Sequence, residues 1–182
     1  YIRGGDGNDH IRGNYDNDDL YGDAGNDYMD GGANHDYMDG GDANDYINGG
    51  RGDLDRMFGG AGEDVIRDND GNIGAHGGPG NDYINVRLAN GWDNNDDPND
   101  PRYDGKLSGG YGNDLVQLDN KSIVNLFINI TGDERDNPGT VPPEGNQDCL
   151  VLKGNAVNGG SVIIKFEETP NNLNQCSLNS GE

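Results

Sequence analysis

Single aliphatic residues stand nine positions apart along the first half of the chain: Ile11, Leu20, Met29, Met38 and Ile47, then Met57, Ile66, Ala75 and Ile84 after a one-residue shift. All three methionines of the protein fall in this series. The residues on either side are mostly polar or aromatic, and glycine fills much of the remainder. In a strand the two neighbours of an inward side chain face the other way. The pattern therefore predicts three-residue strands, each with one core residue, separated by six-residue turns. Beyond residue 120 the period changes. Val124, Leu126, Ile128 and Ile130 alternate with Asn125, Phe127 and Asn129, Cys149 to Leu152 is a second apolar run, and Val162, Ile164 and Phe166 share one side of a third. The Pro138 to Pro143 stretch between them reads as a loop. Segment 86–108, with Pro98, Pro101 and the single Trp92, reads as a loop excursion whose tryptophan covers the end of a coil, contact with a ligand being the alternative.

Written from its first glycine, the nine-residue unit is Gly-Gly-x-Gly-x-Asp-x-apolar-x. Units begin at Gly4, Gly13, Gly22, Gly31, Gly40, Gly49, Gly59, Asp68 and Gly77, with an extra residue near Leu54, and a tenth begins at Gly109. This divides the chain into repeats over 1–85, the excursion over 86–108, a last repeat over 109–120 and a strand-rich cap over 121–182. Without the period, a hydrophobic fraction of 30% and a net charge of −22 would read as disorder. Only 12 Lys and Arg argue against nucleic acid as a partner, whereas the acidic excess argues for cations. One buried side chain per nine residues falls far short of the cost of ordering those nine, so the turns need another source of cohesion. Calcium takes six to eight oxygens from carboxylates and peptide carbonyls. Sixth-position Asp9, Asp18, Asp27, Asp36, Asp45, Asp55, Asp64, Asp82 and Asp114 offer the carboxylates. Gly5, Gly7, Gly25, Gly41, Gly60, Gly62, Gly78 and Gly80 offer turn carbonyls. Ordinary Gly-Asn-Asp turns would account for single units but not for a fixed period.

This unit resembles the nonapeptide of the RTX (repeats-in-toxin) family. The resemblance implies an all-β fold, a right-handed parallel β-roll (a β-solenoid), with two units per coil and calcium between turns of successive coils on the same edge. On that reading Asp9, Asp27, Asp45, Asp64 and Asp82 form one unbroken edge. The other edge decays, because Asn14, Tyr15 and Asp16 replace the pattern, Leu54 intrudes and Ile73 stands where an aspartate is expected. One well-occupied and one weaker edge follow, with about four to seven calcium ions in all and an expanded state when calcium is absent. The strands of 121–182 are similar in pattern to the C-terminal caps of secreted RTX proteases and lipases.

No catalytic constellation is evident, and His10, His35 and His76 fall on surface positions of the repeats. The chain therefore reads as a secreted or cell-surface calcium-binding module, structural, adhesive or concerned with assembly, and not itself an enzyme. The alternative is the C-terminal calcium domain of a larger secreted enzyme acting as a protease, a lipase or on polysaccharide. Ice binding, known among some RTX adhesin domains, is not expected, since Thr131, Thr140 and Thr169 all lie outside the repeats. Seventh-position tyrosines, Tyr28, Tyr46 and Tyr83 among them, read either as cross-strand packing or as a face for glycans or another copy of the chain. The opening Tyr1-Ile2-Arg3 matches the end of a unit, as if the chain began inside a longer parent, and its exposed strand edge is a template for stacking. Cys149 and Cys176 are expected to pair in an extracellular setting, two unrelated thiols being the alternative. Sequons at Asn120 and Asn129 occur no more often than chance allows. No apolar stretch reaches the length of a membrane span.

Overall fold

Side chains at the eighth position of every unit point inward because nothing else in the repeat can form a core. The computed structural model describes residues 1–51, 55–69, 74–88, 106–112, 114–120, 125–131, 149–154 and 161–167. Every described element is a strand, and the strands alternate between two parallel sheets. The first contains β1 (Ile2–Asp6), β3 (Asp19–Ala24), β5 (Tyr37–Asp42), β7 (Arg56–Ala61), β9 (Gly74–Pro79), β11 (Lys106–Tyr111), β13 (Asn125–Thr131) and β15 (Ser161–Glu167), in that spatial order. The second contains β2 (His10–Asn14), β4 (Tyr28–Ala33), β6 (Tyr46–Arg51), β8 (Val65–Asp68), β10 (Tyr83–Leu88), β12 (Leu115–Asn120) and β14 (Cys149–Gly154). Each strand thus pairs with the strand two further along the chain, and two units make one coil of a β-solenoid.

The register stacks like on like. Ile11, Met29, Ile47, Ile66, Ile84 and Val116 form one row. Ile2, Leu20, Met38, Met57, Ala75 and Leu107 form the other. Apart from Ile2, which is exposed, these residues are buried and touch across the two sheets. Parallel stacking brings each core residue within about 5 Å of its counterparts in the coils above and below, so a one-residue-wide core becomes continuous along the axis.

Two features differ from the expected layout. Strands are mostly six residues long, not three, because pairing continues through the first three positions of the next unit. Only the fourth to sixth positions remain as turn. A glycine backbone can hold ladder hydrogen bonds while passing through positive φ, as Gly41 does at 107°. The pairing also enters both ends of segment 86–108, where β10 runs to Leu88 and β11 begins at Lys106. Residues 89–105, with Trp92, lie outside the described residues. The extra residue of the sixth unit shifts the register after Arg51, since Ala33 pairs with Arg51 but Gly41 pairs with Gly60. Strands β13, β14 and β15, from the part of the chain expected to form the cap, extend the same two sheets in parallel register.

Candidate metal centres along the two edges

Turns joining the first sheet to the second stack along one edge of the solenoid, and turns returning to the first sheet stack along the other. On the first edge each sixth-position aspartate donates its backbone N–H to Oδ1 of the corresponding aspartate one coil on. The distances are 2.7 Å from Asp9 to Asp27, 2.8 Å from Asp27 to Asp45, 2.8 Å from Asp45 to Asp64 and 2.9 Å from Asp64 to Asp82. The series then crosses the 86–108 segment, and Asp82 donates to Asp114 at 2.8 Å. The tenth unit is therefore the sixth turn of this edge, a placement the interrupted sequence did not reveal. The second edge carries the same ladder from Asp18 to Asp36 at 2.9 Å and from Asp36 to Asp55 at 2.8 Å.

The ladder commits one oxygen of each acceptor carboxylate and turns the other inward. Oδ2 of Asp9, Asp18, Asp27, Asp36, Asp45, Asp64 and Asp82 is buried without a hydrogen-bond partner. The space it faces is bounded by the first-position glycine of its own turn. A methyl group placed on Gly4 would stand 2.6 Å from Asp9 Oδ2 and 2.9 Å from the carbonyl oxygen of Gly22 in the next coil. The same pair of neighbours recurs at Gly31, 2.6 Å from Asp36 Oδ2 and 2.8 Å from the carbonyl oxygen of Gly49. Crowding thus favours glycine at the first position of these turns, and its carbonyl shares the interior channel with the aspartates. Sequence reasoning assigned first-position glycines to tight approach of neighbouring chains and named only those of the second and fourth positions as carbonyl donors, although glycine runs unbroken at the first position through Gly59.

All eight glycines named from the sequence adopt positive φ, from 99° at Gly5 to 153° at Gly80. Their carbonyls face the turn above: a side chain on Gly80 would collide with the carbonyl oxygen of Gly62. Where glycine is missing the conformation persists, with φ of 77° at Asn14, 78° at Asp16, 82° at Asn34 and 79° at Ala43. Asn and Asp tolerate this left-handed region, so the described turns of the second edge keep the shape of the first despite their divergent sequence. Alanine tolerates it less well, at about 1–2 kcal/mol. Ala43→Gly is expected to stabilise the calcium-loaded protein by about 0.5–1 kcal/mol once the greater chain entropy of glycine is deducted. Thermal denaturation checks this.

Burying a carboxylate oxygen without a partner disfavours its charge. Desolvation accordingly pushes the carboxyls up, to about 6 for Asp36 and Asp64, about 7 for Asp45 and about 8 for Asp82, against the partial relief given by the N–H bond. Repulsion between neighbours on the same edge adds to the rise at Asp45 and Asp82. Either a proton or a cation satisfies such an oxygen. Among the described residues no three Asp, Glu, His or Cys side chains converge on one point. A resident ion must therefore draw on peptide carbonyls as well as carboxylates. That donor set, all oxygen and flexible in number, suits calcium.

Outside the aspartates runs a second ladder of opposite sense. Asn26 donates its N–H to Asn8 Oδ1 at 2.9 Å, Asn44 to Asn26 at 3.0 Å and Glu63 to Asn44 at 2.8 Å. Aromatic rings line both sheet faces. Tyr28 and Tyr46 are stacked with ring centroids 5.0 Å apart, His10 meets Tyr28 edge-on at 4.6 Å, and Arg67 lies over the rings of Tyr46 and Tyr83. On the first sheet a row not foreseen from the seventh positions alone runs through Tyr1, Tyr21, Tyr37, Phe58 and His76 at spacings of 5.1–5.7 Å. It crosses between seventh and ninth positions, which only the sheet register brings together. Cys149 opens β14, and Cys176 lies outside the described residues.

Two parallel sheets joined by turns with inward carboxylates define a β-roll built to hold cations between its coils. Residues 1–29, 25–53 and 54–72 match the model of the RTX calcium-binding nonapeptide repeat, in four copies. The repeats over residues 1–72 are RTX calcium-binding repeats, and the parallel sheets to which they belong form a β-roll. No curated protein and no solved structure matches the chain. Among the described residues no helix is long and apolar enough to cross a membrane.

Proposed function

We propose that this β-roll is an extracellular structural module, adhesive or concerned with assembly, whose folding is driven by calcium. One observation carries the reading: rows of buried carboxylate oxygens, each lacking a hydrogen bond, on both edges of the solenoid. These turns are costly to order without a cation and rigid with one. Extracellular calcium modules bind with dissociation constants of about 0.1–1 mM, so such a chain would stay open where calcium is scarce and fold where it is plentiful. Asp9, Asp27, Asp45, Asp64, Asp82 and Asp114 would hold ions along the first edge, and Asp18, Asp36 and Asp55 along the second. Calcium titration of metal-free protein, followed by circular dichroism, tests the reading. A β-signal that is full without calcium at pH 8 and unmoved by its addition would end it.

The aromatic rows bear on what the module contacts. A glycan stacks on an open ring face, but Tyr28 and Tyr46 lie parallel to within 3° and Phe58 and His76 to within 6°, each covering one face of the other. Cross-strand support is therefore the role we assign to them, and contact with glycans or with another copy of the chain through these tyrosines is the less favoured reading. The triple variant Tyr28→Ala/Tyr46→Ala/Tyr83→Ala is expected to lose about 1–3 kcal/mol of stability while binding the same number of calcium ions. Unchanged stability together with lost glycan binding or self-association would reverse that assignment.

A further inference from the structure

The outward faces of the two sheets carry complementary rows of charge. Along the first sheet the ninth positions stack in register as Arg3, Tyr21, Asp39, Phe58 and His76. Along the second they stack as Arg12, Asp30, Asn48, Arg67, Asn85 and Gln117. All are half-buried or exposed and face away from the core. From Arg3 the first row reads positive, neutral, negative, neutral. From Asp30 the second reads negative, neutral, positive, neutral. The rows therefore match, strand for strand, when one sheet is laid on the other with a displacement of one coil.

Each of the four charges is held in place and left available. Asp23 takes two N–H groups of the exposed Arg3 guanidinium, whose other donors remain. Asn48 donates to one oxygen of Asp30 at 3.1 Å, which leaves the second. Arg67 is exposed and lies over the rings of Tyr46 and Tyr83. Among the described residues no cation pairs with Asp39 and no carboxylate pairs with Arg67. Burial and the nearby charge of Asp23 push the Asp39 carboxyl up, as befits a carboxylate short of a cation. Beside it opens a groove of about 300 Å³, lined by Tyr21, Asp23, Ala24, Asp39, Gly41 and Asp42, with room for an arginine head group.

We propose that copies of this chain stack side by side, the first sheet of one on the second sheet of the next, with axes parallel and one coil out of step. Arg67 of the neighbouring copy enters the groove at Asp39, and its Asp30 meets Arg3. Of the parallel alignments this one alone makes two ion pairs. In step, Arg3 would face Arg12, and displaced the other way Asp39 would face Asp30. Both sheets share one coil spacing, so the match persists along the axis. Such a contact does not close on itself and gives open stacks. Strands about 20 Å long and five coils about 4.8 Å apart offer roughly 500 Å² per copy, so the association is weak and depends on concentration. A net charge of −22 opposes it until calcium occupies the edges. The proposal rests on the assembly reading above and places the contact on ninth-position charges, not on the tyrosine rings.

Sedimentation velocity of the calcium-loaded full chain, from micromolar to near-millimolar concentration, reads the association directly. The parent is expected to form progressively larger species that high salt disperses. Asp39→Arg sets like charges against Arg67, and Asp30→Arg sets them against Arg3. Each is expected to raise the concentration needed for association by about tenfold. Asp39→Arg/Arg67→Asp exchanges the pair and is expected to recover the parent's behaviour. Circular dichroism of each variant confirms that the roll is intact. A calcium-folded parent that stays monomeric overturns the proposal. So does association indifferent to the single variants, or a loss that the double variant fails to recover. Failure of the calcium reading shows elsewhere, as a β-signal unmoved by calcium, and stacking with the same dependence on these variants would still support the proposal.

Discussion

Chelation at pH 8 is expected to abolish most of the β-structure of this protein, and chelation near pH 4 to leave much of it in place. The sign follows from the buried aspartates. In an unfolded chain they titrate near 3.8, whereas in the metal-free roll Asp36, Asp45, Asp64 and Asp82 are pushed up to between about 6 and about 8. The folded state therefore binds more protons than the unfolded state across that interval, and metal-free stability declines as pH rises through it. Stability is greatest below the unfolded value and is lost by the folded one. Calcium reverses the dependence, since it binds only the deprotonated carboxylates and its affinity grows with pH over the same range. Protons and calcium are alternative ligands for the same inward oxygens. Circular dichroism of chelated and calcium-loaded protein from pH 4 to 8 measures both limbs. A chelated protein equally folded at both ends would show that the aspartates are not the determinant.

Asp45→Asn should separate the two duties of a single aspartate. The side-chain oxygen that accepts the Asp27 N–H survives in asparagine, so the stacking ladder holds. The inward oxygen becomes an uncharged amide, and repulsion from Asp27 and Asp64 disappears. Metal-free protein is then expected to gain about 1–3 kcal/mol at pH 8, the usual cost of an unsatisfied buried polar group. Calcium-loaded protein is expected to lose more than this, because Asp45 borders the gaps on both of its sides and both ions would be weakened. The calcium midpoint should move up by tenfold or more, about 1.4 kcal/mol for each decade. Opposite signs with and without metal distinguish a ligand from a residue that only packs, and a variant destabilised equally in both states would deny Asp45 its metal role.

Much of this architecture was legible in the chain because a solenoid is local and repetitive. An aliphatic residue every ninth position required a narrow core, and stacking placed Ile11 on Met29 and Leu20 on Met38 as that spacing implies. The resemblance to RTX repeats put alternate units on alternate edges, and Asp9, Asp27, Asp45, Asp64 and Asp82 do form one row. Divergence at Asn14 and Asp16 read as decay of the second edge, yet both residues hold the left-handed conformation that glycine would.

The sequence by itself determined the period, the core positions and the acidic turns, since each is a property of one unit repeated. The tertiary structure alone decided which oxygen of each aspartate is spent on the neighbouring coil, and that Asp114 joins the first edge across the 86–108 segment. The aromatic row that switches between seventh and ninth positions belongs with these. All depend on the register between coils, and register is set by contacts between residues 18 or more positions apart, which no single unit encodes.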